Sequence, residues 1–320
     1  MKYENGTLVL DVDPSRNTID IEDKTYLVDY LDAQKKTARG PNSFNLLLID
    51  PYGEEPERVL KISRFFRPFP GGGNANDRYI RRRYGRFIAE IDALRRARDA
   101  SFSHVVEIYS DGVWDSGGRQ FPFYVMEKAN STLQDYVLAN PAMDEQNKLH
   151  LCVQLLEGLR ELHGIKLYHR DIKPGNIFVF GSPEEDGRLI WKIADLGLVS
   201  GGGRSISDDL GERIGPFGWI SPEVMNKYLT EKSNLGFDCT IDDSSDIFQL
   251  GNVFWFIYQG NVPLGQILAE DFVCNIAKEK ETVFGIIRDM IQYSKTRRNA
   301  LASIERIQSR LSPVIAAVGL

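Results

Sequence analysis

The chain has 320 residues, of which 42% are hydrophobic and 26% are charged, a composition typical of a soluble globular protein. Its formal net charge of −6 gives no indication of nucleic-acid binding, so we predict no nucleic-acid partner. Its three cysteines are far apart and form no CxxC pair, which argues against a disulfide framework or a zinc site.

The N-terminus and the apolar runs give no sign of membrane targeting. Residues 1–6 lack the apolar core of a signal peptide, and the longest apolar run, residues 253–258, is too short to span a bilayer. We therefore expect a soluble cytoplasmic protein with no membrane partner. A chain of this length holds one large domain or two medium ones.

The first 50 residues have a β-rich pattern. Residues 8–12 and 18–21 flank a turn-forming segment at residues 13–17, which predicts a hairpin. Residues 26–28 and 44–49 predict two further strands.

The next strand and helix each carry a charged residue beside apolar ones. Residues 58–62 predict a buried strand with Lys61 at its centre, and this ammonium needs a partner because burying it alone is costly. After a Gly-rich break, apolar residues at helical spacing predict a helix, and Glu90 lies beside that stripe.

A basic cluster lies upstream of this apolar stripe and has two interpretations. One is a solvated helix face, and the other is a docking site for a phosphorylated or acidic segment. The cluster consists of Arg78, Arg81, Arg82, Arg83 and Arg86.

The pattern next predicts two strands and then two helices. Residues 105–109 and 121–126 predict strands around a Gly-Gly turn, and residues 133–138 predict a short helix. Residues 145–163 predict a long amphipathic helix whose apolar residues share one side.

A polar loop, YHRDIKPGN at residues 168–176, follows this helix and precedes an apolar strand. An aspartate can accept a proton from a hydroxyl, a lysine can neutralise a phosphate oxygen, and an asparagine carbonyl can ligate Mg²⁺. The loop displays all three as Asp171, Lys173 and Asn176. A second oxygen ligand, Asp195, follows the strand predicted over residues 189–194.

The last third of the chain is predicted to be largely helical. Residues 198–215 are rich in Gly, Ser and Asp and flexible by composition, and GPFGWISPE follows at residues 215–223. Residues 246–255 predict a nearly all-apolar, buried helix. Two further helices are predicted near residues 279–293 and 300–310.

The loop at residues 168–176, followed by Asp195-Leu196-Gly197, resembles the catalytic loop and metal-binding triplet of eukaryotic-type protein kinases. Residues 215–223 are similar to the family's peptide-binding loop, which usually ends in Ala-Pro-Glu and here ends in Ser-Pro-Glu. The resemblance extends from about residue 24 to residue 311, and the compact chain is similar to the bacterial members of the family.

The resemblance implies an α+β, bilobal protein-kinase-like fold. Its small β-rich N-lobe would comprise residues 24–128 and its larger helical C-lobe residues 129–320. Residues 1–23 would form an N-terminal β extension.

The resemblance also implies the activity: a Ser/Thr kinase that transfers the γ-phosphate of ATP to hydroxyls of protein substrates, itself included. Asp171 would orient the acceptor hydroxyl and accept its proton, and Lys173 would stabilise the transferring phosphoryl group. Asn176 and Asp195 would hold Mg²⁺.

The resemblance assigns the nucleotide contacts to four residues. Lys61, paired with Glu90, would bind the α- and β-phosphates. The Glu127 carbonyl and the Ala129 N–H would bind the adenine edge.

Supporting and regulatory roles follow in the same way. Asp246 would brace the catalytic-loop backbone, and Arg298 is a candidate partner for Glu223, with Arg297 as the alternative. Arg170 would bind a phosphate on the following segment, unless the nearby serines stay unmodified. The serines are Ser200, Ser205 and Ser207.

The chain departs from the family in two places. The family's glycine-rich loop is absent from residues 32–43, which contain only Gly40, although Lys35, Lys36 and Arg39 could contact phosphates there if they are not a solvated face. Pro216 and Trp219 are typical of tyrosine-specific kinases, whereas Lys173 favours Ser/Thr specificity, and we give Lys173 more weight.

Two alternatives remain open. A pseudokinase scaffold would bind ATP without transferring its phosphate, and the missing glycine-rich loop supports it. A small-molecule phosphotransferase of the same fold would act on a metabolite, although the Ser-Pro-Glu segment at residues 221–223 favours a protein substrate.

Overall fold

The structure, a computed structural model, describes residues 1–31, 42–69, 75–181, 189–201, 208, 214–263, 265–275 and 280–318. The chain divides into two compact units. The first consists of Met1–Ala100 and Val106–Lys128, and the second of Ser101–Val105 and Ala129–Leu320. Among the described residues, no helix combines the length and the apolar character needed to cross a bilayer.

The first unit is rich in β-structure. Its described elements are β1 (Lys2–Glu4), β2 (Thr7–Val9), β3 (Thr18–Ile21), β4 (Lys24–Tyr30), β5 (Ser43–Ile49), β6 (Arg58–Ser63), α1 (Ala75–Asp99), β7 (Ile108–Ser116) and β8 (Arg119–Glu127). Strands β1 and β2 pair with each other, and the other six form an antiparallel sheet in the order β3-β4-β5-β6-β8-β7. Leu46, Leu60 and Val125 are register partners on β5, β6 and β8. All three are buried, so their side chains form a row in the core of the unit.

The hairpin predicted between residues 8–12 and 18–21 is wrong. Strand β2 pairs with β1, and β3 pairs with β4. The first of these hairpins turns at Asn5-Gly6, where both residues have positive φ, as the two-residue turns of tight hairpins require. An Asn-Gly pair favours a tighter hairpin than the longer Asp-Pro segment does, and this signal was missed.

The second unit is largely helical. Its described elements are β9 (Ser131–Thr132), α2 (Leu133–Ala139), α3 (Glu145–Gly164), β10 (Leu167–Tyr168), β11 (Ile177–Phe180), β12 (Ile190–Ile193), β13 (Ser200–Gly201), α4 (Pro222–Thr230), α5 (Asp243–Gln259), α6 (Lys280–Met290), α7 (Lys295–Leu301) and α8 (Ile304–Val318). Its strands form a three-stranded sheet, β12-β11-β9, and the pair β10-β13. Helix α5 is buried from Ser244 to Tyr258, which confirms the buried, nearly all-apolar helix predicted over residues 246–255.

Residues 101–105 differ from the sequence prediction, which placed them within the first domain and began a strand at Val105. Glu161 of α3 accepts hydrogen bonds from the backbone N–H groups of Ser103 and His104, at 2.9 and 3.0 Å. The Ile193 N–H donates to the His104 carbonyl at 2.8 Å. These bonds hold the segment in the second unit, and β7 begins only at Ile108.

We predict that Gly158→Ala destabilises the protein. A Cβ at Gly158 on α3 would lie 2.6 Å from the His104 carbonyl oxygen, so the segment must move to accept it. We expect a loss of about 1–3 kcal/mol in the free energy of unfolding, measured by urea denaturation. Gly164→Ala, on the same helix where a Cβ would enter open space, is the matched control. Equal midpoints for the two variants would contradict this packing.

Candidate active site

In the first unit, a buried lysine is paired as its position requires. Lys61 lies on β6 and Glu90 on α1, and the exposed fractions of their side chains are 11% and 3%. The Lys61 ammonium lies 2.8 Å from Glu90 Oε1, so the predicted contact is present. Burial in a low-dielectric environment strengthens this attraction and fixes the position of the ammonium group.

Tyr124 completes this buried group and was missed by the sequence analysis. Its hydroxyl donates to Glu90 Oε1 at 2.8 Å, and its ring centroid lies 5.4 Å from the Lys61 ammonium. Tyr124 is the register partner of Lys61 across β6 and β8. A buried tyrosine hydroxyl usually has a hydrogen-bond partner. The tyrosine within the apolar strand predicted over residues 121–126 was therefore the signal that could have indicated this contact.

In the second unit, the loop at residues 168–176 is held by α5. The fully buried Asp246 carboxylate accepts the backbone N–H groups of His169 and Arg170, both at 2.8 Å. Its Oδ2 also lies 2.9 Å from His163 Nε2. The predicted bracing role of Asp246 therefore has a direct geometric basis.

Two side chains that support the loop were missed. Neither His163 nor Gln249 was singled out from the sequence. Gln249 accepts the Ile172 N–H at 2.9 Å and donates to the Arg170 carbonyl at 3.1 Å. Gln249 lies three positions after Asp246, so both project from one face of α5. A polar residue inside an apolar helix was the signal that could have found it.

The polar loop and the segment after β12 each contain a residue with strained backbone. Arg170 has a φ of 70°, and Asp195, on the segment after β12, has a φ of 60°. This left-handed conformation is unfavourable for residues with a Cβ, at a cost of about 1–3 kcal/mol each, and it persists where surrounding contacts over-determine it. The bonds from α5 and the bond from His169 Nε2 to the Ala194 carbonyl, 2.9 Å long, provide such contacts.

Asp171 has one occupied and one available carboxylate oxygen. Its Oδ2 lies 2.5 Å from the Lys173 ammonium and accepts the Asn176 side-chain amide at 3.1 Å. Its Oδ1 is buried and has no hydrogen-bond partner among the described residues. A Cβ on Gly215 would lie 3.0 Å from this Oδ1, so the glycine leaves space beside it. The arrangement suits a carboxylate that accepts a bond from an incoming hydroxyl.

The pKa of Asp171 reflects the same environment. Burial raises this pKa above its ordinary value, and the neighbouring Lys173 cation opposes that rise. A carboxylate with a raised pKa is a stronger proton acceptor than an ordinary aspartate while it remains ionised.

Asn176 and Asp195 lie on neighbouring segments. The Ala194 N–H donates to the Asn176 carbonyl at 2.8 Å. The Asn176 side-chain nitrogen donates to the Asp171 carbonyl at 2.9 Å, which leaves its Oδ1 as the oxygen for a cation. One amide and one carboxylate oxygen fit Mg²⁺, which takes few protein ligands and keeps water and phosphate oxygens. The described residues contain no cluster of three or more His, Cys, Asp or Glu side chains suited to a metal.

Arg170 is paired with a carboxylate of its own chain. Its Nη2 contacts Asp208 Oδ2, and the exposed fraction of its side chain is 3%. Ser200, one of the proposed phosphate acceptors, is buried on β13. Ser205 and Ser207 lie outside the described residues.

The Ser-Pro-Glu segment is fixed by a buried ion pair. Glu223 Oε1 lies 2.6 Å from Arg298 Nη2, so Arg298 rather than Arg297 is the partner. Arg298 Nε also donates to the Ser244 carbonyl at 2.9 Å, which links the pair to α5.

Glu127 and Ala129 are the residues predicted to bind the adenine edge. Glu127 is the last residue of β8, and Ala129 is the first residue of the second unit after it. The candidate phosphate contacts Lys35, Lys36 and Arg39 lie outside the described residues.

The site and the fold together define a class: an α+β protein with a sheet-rich N-terminal part, a helical C-terminal part and an Asp-Lys-Asn loop braced by a buried helix. Residues 75–311 match the protein kinase domain family. The chain therefore belongs to the protein kinase family.

Its relatives include serine/threonine-protein kinases from distant organisms. Cds1 of Schizosaccharomyces pombe is 35% identical over 55% of this chain and 35% of its own length. The probable serine/threonine-protein kinase zyg-1 of Caenorhabditis elegans is 25% identical over 68% of this chain and 30% of its own length. PrkC of Bacillus subtilis is 25% identical over 70% of this chain and 30% of its own length. The chain thus spans about a third of each of these proteins.

We predict that Asp246→Ala destabilises the second unit, because it leaves two buried N–H groups without an acceptor. The expected loss is about 2–5 kcal/mol in the free energy of unfolding, measured by urea denaturation. Asp243→Ala, at an exposed position in the same helical turn, should cost less than about 1 kcal/mol. Equal losses for both variants would refute the bracing role.

Proposed function

We propose that the protein is an ATP-dependent protein kinase that transfers the γ-phosphate to Ser or Thr hydroxyls of proteins, itself included. The observation that carries this proposal is the geometry of Asp171. Its Oδ2 is bound to Lys173, its buried Oδ1 is available, and Gly215 leaves space beside that oxygen. We further propose that the two units correspond to the N-lobe and C-lobe of the bilobal kinase fold.

Phosphoryl transfer depends on alignment and charge neutralisation more than on covalent chemistry by the protein. In this proposal, Asp171 Oδ1 orients the acceptor hydroxyl and takes its proton. Lys173, held 2.5 Å from Asp171 Oδ2, places a positive charge where the transferring oxygens gather negative charge.

The family resemblance assigns the remaining roles to individual residues. We propose that Asn176 and Asp195 hold Mg²⁺, which neutralises phosphate charge when bound. Lys61, oriented by Glu90, binds the α- and β-phosphates. The Glu127 carbonyl and the Ala129 N–H bind the adenine edge.

The central test is transfer of labelled γ-phosphate from Mg²⁺-ATP to the protein itself and to a generic protein mixture. We expect Asp171→Asn to lower kcat by about 10²-fold or more, because the amide cannot accept the proton. ATP affinity, measured by calorimetry, should stay near the wild-type value, since Asp171 is not assigned to the nucleotide.

Glu270→Gln, an exposed acidic position in the second unit, is the control and should retain full activity. Full activity of Asp171→Asn would refute the assigned role. ATP binding by the wild type without transfer would favour a pseudokinase scaffold, and transfer to metabolites alone would favour a small-molecule phosphotransferase.

Specificity for Ser and Thr is supported by Lys173 and by the names of the relatives. We expect acid hydrolysis of the labelled product to yield phosphoserine or phosphothreonine. Phosphotyrosine as the main product would show that Pro216 and Trp219 are the better indicators of substrate class.

A further inference from the structure

A short segment of the first unit carries a strong charge asymmetry. Residues 64–86 contain seven arginines and one acidic residue, a net charge of +6. Because the whole chain has a net charge of −6, the remaining residues carry −12. The asymmetry is therefore local, and none of the roles assigned above uses it.

Aromatic rings pack against five of these arginines, and two of the five, Arg67 and Arg81, share the ring of Phe69. The Arg67 guanidinium lies 4.8 Å from the Tyr84 ring centroid and 5.5 Å from that of Phe69. The Arg81 guanidinium lies 4.5 Å from the same Phe69 ring. Phe69 and Tyr84 meet edge to face, with centroids 5.2 Å apart. This stacking attracts the cations and orders their side chains, while the N–H edges stay available.

These guanidinium groups are brought together without a neutralising carboxylate. The Cζ atoms of Arg67 and Arg81 lie 5.5 and 4.5 Å from the centroid of the same Phe69 ring. They are therefore within about 10 Å of each other, which is about one Debye length. Neither Arg67 nor Arg81 forms an ion pair with any described residue. Asp77, the acidic residue of the segment, is buried, whereas Arg67 and Arg81 are exposed.

A third exposed arginine extends the surface. Arg78 lies three positions before Arg81 on α1, which places both on one face of the helix. It also forms no ion pair with the described residues. We call Arg67, Arg78 and Arg81, with Phe69 and Tyr84, the arginine surface.

We propose that the arginine surface binds a phosphorylated segment of a partner protein. Like charges held together repel one another, and a bound dianion removes that repulsion. The planar guanidinium fork matches phosphate oxygens in a bidentate manner, which a lysine cannot reproduce. Stacking on rings pre-organises the forks, so less side-chain entropy is lost when the phosphate binds.

The charge distribution favours a phosphorylated peptide over a nucleic acid or an anionic membrane. A nucleic acid or an anionic membrane presents an extended negative surface. The residues outside the segment have a net charge of −12 and would repel such a surface. A single phosphate on a flexible segment needs only the local positive charge.

The test is fluorescence anisotropy of the full chain with two degenerate peptide libraries, one with a central phosphothreonine and one with threonine. No ATP is present, so the result does not depend on kinase activity. We expect the phosphorylated library to bind at least about 10-fold more tightly. The Arg67→Gln/Arg81→Gln double variant should lose that preference. Equal binding of the two libraries to the wild type would overturn the proposal.

Two control variants sharpen the result. Arg98→Gln, at an exposed arginine on α1 that is paired with Asp99, should keep the preference. Arg67→Lys/Arg81→Lys keeps the charge but loses the fork, and we expect it to lose most of the preference. Full retention by this lysine variant, or stronger binding of polyuridylate or phosphatidylserine vesicles than of the phosphorylated library, would overturn phosphopeptide recognition. A thermal melt of each variant shows that it is folded.

Discussion

The candidate site depends most on one buried carboxylate. Asp246 accepts two consecutive backbone N–H groups of the polar loop, and these groups could not find water in their place. Because His169 and Arg170 are held there, Asp171 follows in a fixed position, despite the unfavourable φ at Arg170. Helix α5 can provide this anchor because it is buried along nearly its whole length and cannot shift without disturbing the core.

The first unit also depends on a buried charged group, here the cation of Lys61 rather than a carboxylate. An ammonium group inside a sheet is stable only with a partner, and Lys61 has Glu90, which Tyr124 also binds. The glutamate comes from a helix and the tyrosine from the neighbouring strand, so the lysine position depends on both. In each unit, a proposed functional group is positioned by a buried charge whose neighbours are distant in sequence.

This distance explains what the sequence could and could not predict. Local patterns predicted α3, α5 and the polar loop, because hydrophobic period and turn composition act within a few residues. The paired polar side chains at Glu90 and Arg298 were predicted through the family resemblance. The contribution of His163 was missed, since its partner Asp246 lies 83 residues further along the chain. Strand pairing at the N-terminus was also missed, because two turn signals competed and the shorter one prevailed.

The charge balance around Arg170 shows why a motif alone does not define regulation. A guanidinium that is 3% exposed needs a counter-charge, and in the family pattern this suggested a phosphate. Here the carboxylate of Asp208 already supplies a negative charge. The buried arginine is therefore compensated by the unmodified chain, and its presence in the loop does not by itself require a phosphorylated serine. By contrast, Arg67 and Arg81 have no such carboxylate among the described residues. The positive charges of Arg67 and Arg81 at the surface are therefore available to an external anion, whereas the charge of Arg170 in the loop is already compensated.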